Sequence, residues 1–161
     1  MKTLTLIRHA KSSWDYQVGD KDRPLNQRGI TDAHLVSSHL AKNPFFADAV
    51  FSSYANRALH TCTIFMRNLD ISFSKLSVTP QLYDFSGDTV LPFIKGIDDS
   101  HEKVVIFGHN HAFTHLANIL GDHFIDNLPT SGVVTLTFPV TRWKEITKGT
   151  TVNTVFPKQL K

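Results

Sequence analysis

Three short stretches set cationic and imidazole side chains directly after apolar runs. Arg8 and His9 follow Leu4, Leu6 and Ile7. Arg57 comes one turn after Ser52-Ser53, and His109-Asn110 follow the run Val104 to Gly108. Arginine presents a planar fork that matches phosphate oxygens and keeps its charge at any working pH. A neutral imidazole can act as a nucleophile and form a covalent intermediate. Clamping the charge of a transferring phosphoryl group is the main demand of phosphoryl transfer. Each residue alone also has an ordinary structural use: a surface ion pair for Arg8, a solvated helix face for Arg57, a hydrogen-bonded histidine for His109. Their coincidence at three strand ends is what argues for a site.

The elements that must position these groups are legible as a pattern. Residues 3–8 predict a first strand. Residues 27–42 carry Ile30, Ala33, Leu35, Val36 and Leu40 at helical spacing, stopped by Asn43-Pro44. Residues 47–53 predict a buried strand, 56–69 a helix, 76–80 a third strand ended by Pro80, and 87–97 a short helix. The run 103–110 is the clearest strand, turned by Gly108, and a helix over 111–121 follows. The stretches 132–140, "RWKEI" and "TVNTVF" read as β-rich. Strands alternating with helices predict a single α/β domain over residues 1–161. Its central sheet is mostly parallel and flanked by helices on both faces, with an antiparallel edge. Ligands in such sheets bind at the carboxyl ends of the strands, where helix N-termini favour anions.

Composition bounds the function. The chain has 161 residues, 41% hydrophobic and 19% charged, as expected of an ordinary globular protein. A formal charge of +3 without a dense basic run gives no case for a nucleic-acid partner. No stretch reaches the roughly 20 apolar residues of a membrane span, and Arg8-His9 interrupt any signal core. One cysteine, Cys62, excludes an internal disulfide framework and fits a reducing compartment. The expectation is a soluble, cytoplasmic protein with no membrane partner.

Three rival chemistries deserve weighing. His109, His111 and His115 form an H-x-H-x3-H array that zinc could use, but no carboxylate partner of a dinuclear hydrolase accompanies it. Cys62 and Arg67 have four residues between them, one short of a cysteine-phosphatase loop, with no glycine, so Cys62 reads as a small buried residue. A non-catalytic phosphate-binding module would need the arginines but not His9.

The stretches "LIRHAKSSW", "DRPLNQRG", "SSYANRALHT" and "VIFGHNHAFTHLANIL", with the ending "WKEITKGTTVNTVFPKQL", resemble the histidine phosphatase superfamily. The likeness is closest to its small branch, the SixA-type phosphohistidine phosphatases, and runs over the whole chain. That resemblance implies a phosphoglycerate mutase-like fold and a phosphatase needing neither metal nor other cofactor. His9 would be the nucleophile, Arg8 and Arg57 the phosphoryl clamp, and His109 the second active-site histidine. Arg23 and Ser12 would be further phosphate contacts. The partner would be a phosphorylated protein bearing phosphohistidine, or alternatively a small phosphate ester. The sequence departs from the wider pattern at Ala10, where glycine is usual, and at Asp15, where asparagine is. The acid-carrying insert is also absent. Asp84, in "QLYDFSG", is the candidate general acid, with a solvated loop aspartate as its plainer reading. Trp14 either bounds the cleft or packs into the core.

Overall fold

The computed structural model describes residues 1–161. Six strands form one sheet in the order β3-β2-β4-β1-β5-β6. They are β1 (Lys2–Arg8), β2 (Ala49–Ser53), β3 (Leu76–Thr79), β4 (Lys103–Gly108), β5 (Val133–Phe138) and β6 (Thr150–Val155). The first four are mutually parallel, while β5 runs antiparallel to β1 and β6 antiparallel to β5. This is the mixed α/β sheet with an antiparallel edge that the pattern predicts.

Alternation along the central strands builds two cores. Leu4 and Leu6 of β1 and Val104 and Ile106 of β4 face one side. There they meet α3 (Val90–Lys95) and α4 (Ala112–Leu120) through Val90, Ile94, Phe113 and Leu116. Ile7, Val105 and Phe107 face the other side, against α1 (Gln27–Leu40) and α2 (Asn56–Asn68) through Ala33, Val36, Phe65 and Met66. A four-residue apolar run such as 104–107 is what a strand buried on both faces requires.

The stretch "RWKEI" is a correction. Trp143–Glu145 is a turn of 3-10 helix, not a strand. Trp143 is fully buried, with its indole N–H donating to the His101 carbonyl at 2.8 Å and its backbone N–H to Asp99 Oδ1 at 2.8 Å. Those partners lie in the turn before β4, so the segment plugs the bottom of the sheet instead of extending it. No helix is long and apolar enough to cross a membrane.

Candidate active site

Register sets the site. Arg8 lies level with Gly108, and the His9 N–H donates to the Gly108 carbonyl at 3.0 Å, so β1 and β4 end together. A Cβ on Gly108 would come within 2.6 Å of the Phe113 ring, so only glycine lets α4 pack this close behind His109. The His9 and His109 ring centroids are 5.2 Å apart. The loop after His9 is pinned by a bridge between Ser12 and Leu25 and by the Asn26 N–H donating to the Lys11 carbonyl at 3.0 Å. Ala10 is fully buried, and its N–H donates to Thr61 Oγ1 at 2.8 Å. Its methyl therefore packs into the core where a glycine is usual.

His9 is held in one tautomer. Its Nδ1 lies 2.7 Å from the Ala10 carbonyl, an acceptor only, so Nδ1 carries the proton and Nε2 keeps its lone pair. Burial drives its pKa down to about 3, against the Ala10 hydrogen bond and with help from Arg57, Arg8 and Arg23. A neutral imidazole with a free Nε2 is the form that can attack phosphorus.

His109 is fully buried, and its Nε2 lies 2.8 Å from Ser53 Oγ. Ser53 Oγ already accepts from the Ala55 N–H at 3.2 Å, and His109 is the acceptor available to its own hydrogen. With the Ser53 hydroxyl donating to Nε2, the His109 proton sits on Nδ1, a buried atom without a protein partner. Burial first, then the nearby His9 and Arg57, depress its pKa to about 3. His109 thus offers one neutral N–H donor.

Both histidines bind a proton far more readily in the unfolded chain, near pH 6.5, than in the fold. Stability should therefore fall as pH drops below 6.5, by up to about 1.4 kcal/mol per pH unit for each histidine. Urea unfolding at pH 7.5 and pH 5 tests this, and equal stability at the two values would contradict it.

Arg57, in the first turn of α2, is buried and makes a two-pronged contact with one residue. Its Nη1 donates to the Asp20 carbonyl at 2.6 Å and its Nη2 to Asp20 Oδ2 at 2.9 Å. Arg23 is also buried. It donates to Asp20 Oδ1 at 3.1 Å and to Ser12 Oγ, and its guanidinium stacks 3.4 Å from the Trp14 ring centroid. Trp14 is 76% exposed, so it bounds the cleft and does not pack into the core. Arg8 donates through Nη1 to the Leu128 carbonyl at 2.8 Å, while its Nε is buried without a protein partner.

The structure places Asp84 in the turn that leads into α3. Its carboxylate accepts from the N–H groups of Ser86, Gly87, Thr89 and Val90 and from Ser86 Oγ, at 2.9 to 3.1 Å. Burial works to raise its pKa, but the bonds from Val90, Ser86, Thr89 and Gly87 outweigh it and bring it to about 2. The side chains that this segment turns to the site are Tyr83 and Phe85, whose rings lie 5.3 and 5.0 Å from His109, and the Tyr83 hydroxyl donates to Asp20 Oδ2. Asp84 organises the turn into α3. Asp84→Asn should cost on the order of 2 kcal/mol of stability at neutral pH. It should also slow alkyl and aryl phosphates by the same factor. A selective loss on alkyl substrates would restore the acid role.

The other candidates separate from the site. His111 and His115 are exposed on the first turn of α4 while His109 turns inward, and no three His, Cys, Asp or Glu side chains converge as a ligand set. Cys62 is fully buried, and burial raises its thiol to about 12. Asp15 is exposed.

Two residues escaped the sequence reading. Asp20 sits on both Arg57 and Arg23, and its spacing of three from Arg23 is the only local signal for it. Ser131, at φ 62°, donates its N–H to the carbonyls of Arg8 and His9 at 3.1 and 3.3 Å and so fixes the backbone beneath the nucleophile. Nothing in its local sequence reveals that.

Known proteins share this fold. The protein histidine phosphatase SixA complexed with tungstate superposes with a TM-score of 0.83 at 21% identity, over 99% of each chain. SixA from Agrobacterium tumefaciens gives 0.81 at 23%, over 97% of this chain and 98% of that one. Both likenesses show the fold. An uncharacterized Mycobacterium tuberculosis protein is 29% identical over 140 residues, 81% of this chain and 85% of the relative. A 2,3-bisphosphoglycerate-dependent phosphoglycerate mutase from Nautilia profundicola is 38% identical over 76 residues, 45% of this chain and 33% of the mutase. Residues 4–90, more than half the chain, match the family described as histidine phosphatase superfamily (branch 1). Together with the fold they support phosphatase chemistry, and the chain belongs to the histidine phosphatase superfamily.

Proposed function

We propose that the protein is a metal-independent phosphatase that removes phosphoryl groups from histidine side chains of proteins, through a covalent intermediate on His9. His9 Nε2 attacks phosphorus, the bond from phosphorus to the substrate imidazole breaks, and that imidazole takes a proton from solvent as it leaves. Water then attacks the phosphorus on His9, the P–Nε2 bond breaks, and inorganic phosphate departs. Arg8, Arg57 and Arg23 supply positive charge to the oxygens, and the His109 Nδ1 proton supplies a neutral hydrogen bond in both steps.

The observation that carries the choice of substrate is the state of the nearby carboxylates. Asp84 is locked as an anion, and Asp20 is held ionised, against partial desolvation, by Tyr83, Arg57 and Arg23. Neither is poised as an acid. An alkoxide leaving group needs one, a contribution of roughly 10²–10⁴-fold, whereas imidazole leaves a phosphoramidate readily. Trp14, Tyr54 and Phe85 present solvent-facing rings beside Arg23, Tyr83 and His109, a surface suited to contact with a protein that carries the phosphorylated side chain.

Phosphate release from a phosphohistidine protein and from an alkyl phosphate ester, at equal concentrations, tests the reading. The expected result is a preference for phosphohistidine of about 10²-fold or more. Faster hydrolysis of the alkyl ester would point instead to a small-molecule phosphomonoesterase.

A further inference from the structure

We propose that Asp20 is the resident counter-anion of the phosphoryl clamp: its carboxylate holds Arg57 and Arg23 in the free protein, gives them up to an incoming phosphoryl group, and takes them back as phosphate leaves. This rests on the reading of that clamp as a phosphoryl site.

The two carboxylate oxygens divide between the two guanidinium groups. Oδ2 accepts from Arg57 Nη2 at 2.9 Å and Oδ1 from Arg23 Nη1 at 3.1 Å. Two oxygens of a phosphoryl group would straddle the arginines in the same way. Arg57 and Arg23 are buried, at 2% and 8% exposure, and a buried cation left without a partner is strongly destabilising. Neutral His9 and His109 provide no compensating charge. Asp20 does, and its hold is reinforced by the Tyr83 hydroxyl on Oδ2.

Asp20 is also built to leave. Its side chain is 45% exposed while the arginines it pairs with are not. It opens a three-residue 3-10 turn at the end of an exposed stretch, residues 14–22. Gly19, just before it, has nothing within 4 Å of where a Cβ would stand. The carboxylate can swing into water without repacking the core. The main-chain carbonyl of Asp20 keeps its own bond to Arg57 Nη1, so the guanidinium stays aimed when the carboxylate lets go. A phosphoryl dianion carries twice the charge of the carboxylate and displaces it. The carboxylate in turn weakens the grip on inorganic phosphate and hastens its release.

Calorimetric titration with inorganic phosphate at pH 7.5 tests this on native protein, Asp20→Asn and Asp22→Asn. Asp22 is an exposed neighbour in the same turn, without a side-chain bond to either arginine. Asp20→Asn should bind phosphate about tenfold more tightly, because the isosteric amide removes the competing charge. Asp22→Asn should stay within about twofold of native. Tyr83→Phe loosens the carboxylate and should shift affinity the same way by less, which keeps the test open if Asp20→Asn folds poorly. Unchanged or weaker binding by Asp20→Asn would make Asp20 a positioning residue and overturn the proposal, as would equal tightening by Asp22→Asn. A native protein that binds no phosphate at all would overturn the phosphoryl reading itself.

Discussion

His9→Ala should lower phosphohistidine hydrolysis on the order of 10³-fold or more, since loss of a covalent nucleophile leaves only binding and electrostatics behind. The size of the effect follows from how completely the side chain is prepared. Its Nδ1 is tied to the Ala10 carbonyl at 2.7 Å, its pKa is held at about 3, and the Gly108 and Ser131 contacts fix its backbone. No other imidazole can take over. His109 has its Nε2 turned to Ser53, and His111 and His115 are exposed. Thermal unfolding of the variant, read beside its turnover, separates lost chemistry from lost fold. Turnover within tenfold of native in a folded variant would contradict the mechanism.

Arg57→Lys should lower turnover by about 10²–10³-fold, the scale for losing one donor aimed at developing charge. Lysine keeps the charge but not the fork. Arg57 uses two nitrogens on a single partner, at 2.6 and 2.9 Å, and a lone ammonium cannot reproduce that pair. Because the loss falls on the transition state, kcat and kcat/KM should drop together. A lysine variant within fivefold of native would show that charge alone suffices at this position.

The sheet and the strand ends were legible because their signals are local. The run at 104–107, rich in β-branched residues and closed by Gly108, reads as a strand buried on both faces, and Arg8, Ser53 and His109 sit where such strands end. The pairing of His109 with Ser53, 56 residues away, follows from parallel neighbours ending level. What the sequence hid depends on distant or irregular backbone. Asp84 gains its anionic state from N–H groups that converge on it only once residues 86–90 have turned. Asp20 meets Arg57 across 37 residues through an exposed loop with no periodicity to read. "RWKEI" carries strand-forming residues, but the Trp143 side chain finds its partners in the turn at 99–101, and burial there overrides local preference.

The most direct test of the central claim is to mix the native protein with a radiolabelled phosphohistidine protein, quench within a turnover, and map the retained phosphate. The expected result is phosphate that is labile to acid, stable to base, and carried on His9 at Nε2. Turnover without any protein-bound phosphate, or label on a residue other than His9, would contradict it.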